Sequence, residues 1–458
     1  MTDLLTVFAL VGMVITLSAL ASGVVERTPL SFPMIFLALG ALLGEAGLGV
    51  LSIAPEDPTL EAIAVLNLSL VLFLDALKLR FDGGRREWLV PALALGPGTL
   101  LVIALTAFAA WALVGATPLE ALLFGAILSS TDPIVLRDVI RDERIPRSVR
   151  RALSIEAGTN DLVVLPILLL LIALSLGRLG GASEWAAFLG RVFLIGPLAG
   201  LAVGASGAWL ARWVDRRIGI RREYQTLYGI GVVLVSYAAA EGLGGDGFLA
   251  SFAAGLAITA LNLDLCDCFL EYGEATAEMA MLLGFVLFGA VLSVLVTRAP
   301  ALPSLAFAAL VIGVVRPLAL GLVLSRARLS RSALAFIAWF GPRGLNSLLF
   351  TLLVLRSGVP GAEGLLAVVG VVVMASVALH GTSATPLSAW YARVVARRTL
   401  PEERESTAAG LFDAAAHDDV PRIGPDELAR RLGSADPPLV LDLRGRAAFE
   451  QDPVRIPG

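Results

Sequence analysis

The sequence predicts an all-α membrane protein of about 13 spanning helices, two of them discontinuous. Three observations predict it. The 458 residues are 57% hydrophobic and 16% charged, against roughly 45–50% apolar and 25% charged for a soluble domain. Apolar runs near the length that crosses a bilayer, about 20 residues, recur along the chain. The arginines gather in alternate connections between those runs, the pattern that orients membrane helices.

The segments fall near 4–24, 29–45, 59–78, 89–115, 118–139, 150–176, 187–211, 224–241, 247–262, 274–297, 301–324, 331–355 and 361–385. The first has neither the basic flank nor the cleavage site of a signal peptide, so it is read as a retained helix. The segments around 29–45 and 247–262 are the shortest. The fifth contains Ser129-Ser130-Thr131-Asp132-Pro133. Pro133 lacks an N–H and crowds the preceding turn, which breaks a helix there. The twelfth contains Gly341-Pro342-Arg343-Gly344 and unwinds for the same reason. If segments 1–6 and 8–13 are inverted repeats, both breaks occupy the fifth place of a half. Matched interruptions of that kind point to a transporter binding site.

Arginines cluster at Lys78–Arg86, Arg137–Arg151, Arg216–Arg222 and Arg326–Arg331, all in odd-numbered loops. Odd loops are therefore cytoplasmic, the N-terminus outside and the C-terminus inside, in a multi-pass plasma-membrane protein. The ninth loop carries Asp264, Asp267 and Glu271 without an arginine and gives no support. Residues 1–398 form the membrane domain. From Thr399 to Gly458 the chain turns polar and reads as a soluble cytoplasmic tail. Within it, the stretch from about Asp426 resembles the opening of a rhodanese-like domain. Composition also excludes some classes. There is no basic stripe with interleaved aromatics, so nucleic acid is not an expected partner. Cys266 and Cys268 are the only cysteines, too few for a zinc site or a disulfide framework. No nucleophile–base set marks an enzyme, and no ATP motif or cofactor signature occurs.

The polar residues at membrane depth carry the chemistry. Glu156, Asn160 and Asp161 lie inside an apolar run. A single acidic group at a helix centre costs roughly 2.5–3.5 kcal/mol on insertion scales, and such groups mark ion or proton sites by default. Glu156 and Asn160, four apart, share a helix face, and Asp161 is rotated by about 100°. Glu156 is therefore assigned to Arg316, the one cation inside the eleventh segment. Asp161 is assigned to an open site beside Asp132 and the freed Thr131 carbonyl, with Asn160 and Asp75 completing it. Carboxylate, carbonyl and hydroxyl oxygens suit Na⁺ or K⁺ by analogy with harder divalent ions. So Asp161, Asp132 and Thr131 are the candidate ligands of the metal ion. Burial disfavours a bare charge on Asp161, and a proton and a cation compete for it. With Asn160 in place of a second acid, one cation per proton is the simplest stoichiometry. Several residues have second readings. Asp75 could form a surface ion pair with Lys78 or Arg80, and Asp132 could cap a half-helix. Arg343 could snorkel to an interface, His380 reads as a packed histidine, and Glu241 and Asp246 read as solvated.

Taken together, Thr131-Asp132-Pro133, Glu156 with Asn160-Asp161, Arg316, Gly341-Pro342-Arg343-Gly344, and His380-Gly381 with Pro386 resemble the monovalent cation/proton antiporters of the NhaP type. The resemblance spans about residues 5–395. It implies a thirteen-helix homodimer in which a core domain moves like an elevator. It also implies electroneutral exchange of one Na⁺ or K⁺ for one H⁺, with Asp161 binding each in turn and Glu156–Arg316 as the core pair. Two positions depart from the family: Ala157 stands where many relatives have Ser, and Asp75 where many have Glu. Two other classes are weighed against this one. A channel or uniporter needs a continuous polar lining, whereas these polar residues cluster at one depth. A non-transporting sensor would signal through the tail.

Overall fold

The computed structural model describes residues 4–25, 28, 30–79, 92–261, 263–326 and 329–397. The tail with its rhodanese-like stretch lies outside them, as do Arg80, Arg85 and Arg86. The side chains of Cys266, Cys268, Asp264, Asp267 and Glu271 are likewise not described. The described residues are almost entirely helical, and their only β feature is an isolated bridge between Gly44 and Leu51. In chain order the helices are α1 (Leu4–Val25), α2 (Phe32–Leu43), α3 (Pro58–Lys78), α4 (Ala94–Val114), α5 (Pro118–Ile127), α6 (Arg137–Arg141), α7 (Arg147–Ser175), α8 (Ala182–Arg217), α9 (Arg222–Gly242), α10 (Gly247–Leu261), α11 (Leu263–Leu295), α12 (Ala301–Val323), α13 (Arg331–Trp339), α14 (Leu345–Arg356) and α15 (Ala362–Arg397). Among the described residues, seven stretches are long and apolar enough to cross a membrane: α3, α4, α7, α8, Gly273–Arg298 in and after α11, α12, and Ala362–Ala396 in α15. Shorter apolar helices accompany them.

The ends of these helices follow local chemistry. Pro58 and Pro118 sit in first turns, where a missing N–H costs nothing. The Asp57 side chain accepts from Thr59 N, and Glu120 reaches back to Thr117 N, so two helix starts are capped. Three prolines further in are absorbed by wide, π-type turns, whereas Pro166 and Pro386 lie inside α7 and α15 without one. One such turn, Ala94–Gly98, contains Pro97. Two others, Gly190–Ile195 and Val311–Val315, end just before Gly196-Pro197 and Arg316-Pro317. A widened turn moves the carbonyl that the ring would strike. These turns were not foreseen from the sequence, which pointed to two interruptions only.

The main core is a continuous aromatic and aliphatic mass that includes Phe36, Phe124, Phe285, Phe288, Phe307 and Phe350. A second cluster, with Leu136, Val149, Leu153, Phe336, Phe340 and Tyr391, packs the end of the bundle beside α6 and α13. Helix α8 packs closely on α10 through small residues. A Cβ on Gly204 would lie 2.7 Å from Ala254 Cα, so only glycine permits this approach. The other face of α8 is exposed and apolar, with Leu189, Phe193, Leu194 and Leu198 among its residues. In a membrane-spanning helix that face meets lipid.

Candidate functional site

Both interruptions expected from sequence are present. The helix beginning at Pro118 stops at Ile127, and residues 128–136 are non-helical before α6. The other interruption is Phe340–Gly344, between α13 and α14. The two stretches cross, and each completes the other's hydrogen bonding. Asp132 N donates to Pro342 O at 2.9 Å. The Asp132 carboxylate accepts from Leu345 N at 2.8 Å and from Ile134 N at 2.9 Å. It therefore caps α14 from the opposite interrupted segment as well as the turn that follows it. Arg343 Nη1 donates to Ser129 O at 2.7 Å and Ser130 O at 2.8 Å. Ser347 Oγ donates to Ile127 O at 3.1 Å. Interrupted backbone survives at membrane depth only when its polar groups are met in this way. Gly344 is required at the contact: a Cβ there would overlap the Asp132 carboxyl group.

Helix α7 passes beside the crossing with Glu156, Asn160 and Asp161 all buried. Glu156 Oε1 and Arg316 Nη1 lie 2.7 Å apart, and Arg316 Nη2 donates to Phe340 O at 3.1 Å. Arg316 is the first residue after the wide turn in α12, which swings it into the core. The turn in α4 does the same for Thr99, whose hydroxyl donates to Asn160 Oδ1 at 3.2 Å. The Asn160 amide donates to Ser129 O at 2.6 Å and to Thr131 Oγ1 at 3.0 Å. Asn160 is therefore a clamp between α4, α7 and the first break.

Asp161 Oδ1 accepts from Ser130 Oγ at 2.5 Å and Oδ2 from Asn346 Nδ2 at 2.6 Å. Among the described residues no Lys, Arg or His pairs with this carboxylate. Two of its expected neighbours are arranged differently. Asp132 spends its carboxylate on backbone N–H groups, and Thr131 meets Asn160 through its hydroxyl. Ser130 and Asn346, which touch Asp161 directly, were not singled out from sequence. The signal available for Asn346 was its amide two residues beyond a helix break.

Asp75 does pair with Lys78, Oδ1 lying 4.0 Å from Nζ, but the aspartate is buried and the pair is not a surface one. Its Oδ2 has no hydrogen-bond partner among the described residues. It lines a cavity of about 500 Å³ with Lys78, Pro133, Arg137, Gly158 and Glu274. A Cβ on Gly158 would come within 3.2 Å of Asp75 Oδ1, so this glycine lets the carboxylate lie against α7. Asp161 is one helical turn past Gly158 and is not among the lining residues. On the cavity rim Lys78 pairs with Glu274 at 3.2 Å, and Arg137 pairs with Glu278.

Arg343 does not snorkel; it is buried in the crossing, with its backbone N–H on Ser376 Oγ at 2.7 Å. His380 is held by Ser376 and by Trp339 O at 3.1 Å, a packed histidine. Asp246 is half-buried, not solvated. It accepts from Leu249 N at 2.8 Å in the first turn of α10, and Glu241 accepts from Gly247 N at 3.0 Å.

A buried carboxylate without a counter-charge, beside two crossed interruptions in a helical membrane protein, is the architecture of a secondary transporter. The family model described as sodium/hydrogen exchanger, transmembrane, matches residues 12–390. The chain belongs to that family, which is one of membrane transporters and not of enzymes. It is 28% identical over 405 residues to the K(+)/H(+) antiporter NhaP of Alkalimonas amylolytica, covering 86% of this chain and 68% of that one. It is 30% identical over 397 residues to the K(+)/H(+) antiporter NhaP2 of Shewanella sp. (strain MR-4), covering 84% and 67%. Its fold is similar to that of the sodium proton antiporter MjNhaP1 from Methanocaldococcus jannaschii. That match has a TM-score of 0.68 at 19% identity, over 85% of this chain and all of the other.

Proposed function

We propose that this protein exchanges a monovalent cation for a proton, one for one and without net charge movement, with both competing for Asp161. The observation that carries the proposal is the Asp161 carboxylate, fully buried and held by two neutral donors, with no cationic side chain paired to it among the described residues. A bare charge in that position is costly, so the carboxylate is stable when it holds either H⁺ or a metal ion. Ser130 suits both states. Its hydroxyl donates to an ionised Asp161, accepts from a protonated one, and can turn an oxygen lone pair toward a bound cation. Asn346 keeps its amide N–H on the second carboxylate oxygen throughout. Thr131 oxygen and Asp132 belong to the outer part of the same shell. The site then faces one side of the membrane at a time, and the cavity ending at Asp75 and Gly158 is the approach from one side. The cycle uses no cofactor.

The curated relatives are named for potassium and the solved one for sodium. Both names support a monovalent cation, and Ala157 removes one hydroxyl by which a site could choose between them. The arginine pattern supports an outside N-terminus in the plasma membrane, and family likeness supports a homodimer. The test is a pH-dye assay on everted vesicles, with membrane potential clamped and Na⁺, K⁺ and Li⁺ compared. Wild type should dequench on addition of at least one cation without generating current. Asp161→Asn should give no dequenching while the protein elutes as a folded species. Cation-dependent dequenching in that variant at the wild-type rate would overturn the proposal.

A further inference from the structure

The end of α8 carries a short run of tryptophan and arginine that the sequence reading passed over when it found no basic stripe with interleaved aromatics, and that ion exchange does not use. Trp209, Arg212, Trp213, Arg216 and Arg217 are spaced by three and four residues, so they share one helix face. All five are exposed, with Trp209 at 65% and Trp213 at 42%. The Arg217 guanidinium stands over the Trp213 ring, 4.9 Å from its centroid. Arg221, exposed at the start of α9, continues the stripe, followed by exposed Tyr224. The opposite face of α8, with Gly204, Gly207, Ala208 and Ala211, is buried, so the stripe looks away from the bundle. Among the described residues none of Arg212, Arg216, Arg217 and Arg221 is paired with a carboxylate. Among the described side chains the one acid in the turn, Asp215, is occupied with Ile220 N at 2.8 Å. The rim arginines Arg137 and Arg141 differ, since both face glutamates of α11.

We propose that this corner binds the headgroups of anionic phospholipids. The lipid-facing apolar length of α8 fixes the depth: tryptophans at the end of a spanning helix sit at headgroup level. Arginines just beyond them present planar forks that match phosphate. A second copy of the chain is the other conceivable occupant. A two-fold contact, however, would bring this basic face against itself, and among the described side chains its one acid, Asp215, is already held by Ile220 N.

The experiment uses the full chain in nanodiscs of phosphatidylcholine and phosphatidylglycerol, followed by detergent extraction and native mass spectrometry to count retained lipids. Wild type should retain phosphatidylglycerol in preference to phosphatidylcholine. The combined Arg212→Gln, Arg216→Gln, Arg217→Gln, Arg221→Gln variant should lose this retention by at least about tenfold. Lysine at the same four positions should keep most of it. If the glutamine variant does not fold, washing wild type in 0.5 M NaCl serves instead and should release the lipid, because exposed charges are screened. Equal retention of the two lipids by wild type would overturn the proposal. So would retention that survives both the glutamine variant and the salt wash, or loss of dimer in the glutamine variant with lipid retention unchanged.

Discussion

Removing the charge of Glu156 should destabilise the protein more than removing both charges of its ion pair. The pair is dry, with side chains 5% and 4% exposed and oxygen and nitrogen 2.7 Å apart. Arg316 also gives a hydrogen bond to Phe340 O, while its Nε has no partner among the described residues. In Glu156→Leu the guanidinium loses this partner and its charge stays buried and uncompensated. A broken buried pair costs about 3–5 kcal/mol, whereas replacing both partners by apolar groups is often neutral. Glu156→Leu and Arg316→Met should therefore each lower unfolding free energy by about 3–5 kcal/mol. The double variant Glu156→Leu with Arg316→Met should fall within about 2 kcal/mol of wild type. Unfolding in mixed dodecyl maltoside and sodium dodecyl sulfate micelles, followed by tryptophan fluorescence, measures all three. A double variant as unstable as the sum of the single ones would refute this account, because the two residues would then be acting independently.

Other expectations follow from single contacts. Gly344→Ala puts a methyl group into the Asp132 carboxyl group and should cost about 1–3 kcal/mol, seen as a lower unfolding midpoint in the same micelles. Asn346→Ala removes one of two donors to Asp161; a hydrogen bond to a charged group contributes about 1.5–3 kcal/mol. The concentration of cation giving half-maximal dequenching should rise at least about tenfold, with folding retained. In the loop between α6 and α7, a hydrogen bond from Arg144 holds the Asp142 carboxyl below its usual range. A depressed carboxyl stabilises the folded state above the unfolded value and loses that contribution as pH falls through its own lowered value. Arg144→Gln should therefore lower the unfolding free energy slightly at pH 7, by no more than about 1 kcal/mol for this exposed arginine and seen as a small drop in thermal midpoint, and not at all near pH 2.

Helices that run through oil were legible because their apolar length is local information. The breaks at Asp132-Pro133 and Gly341-Pro342 were legible because proline and glycine act on their own turn. Partners across the bundle were harder to read. A serine or threonine in an apolar helix can bond its own preceding turn, as Thr159 does to Ile155 O and Thr351 to Ser347 O. Nothing in the run around Ser130 or Thr99 says that these hydroxyls reach α7 instead. That depends on the crossing of distant segments and on the widened turns before Thr99 and Arg316. Glu156 and Arg316 were paired correctly in space because a buried charge has few places to go. Helix ends were also misjudged. Helix α11 starts at Leu263, earlier than the apolar run, and α15 continues to Arg397, because polar turns outside the oil still hold their backbone hydrogen bonds.

The mutual capping of the two interrupted segments has a mechanical corollary. Six donor–acceptor links stitch residues 127–134 to residues 342–347 or close their own turn, and Asp161 is tethered to one strand of that stitch through Ser130 and to the other through Asn346. Whatever shifts the acid's depth in the bilayer has to haul both threads together, because slack in either would strand backbone oxygens in hydrocarbon.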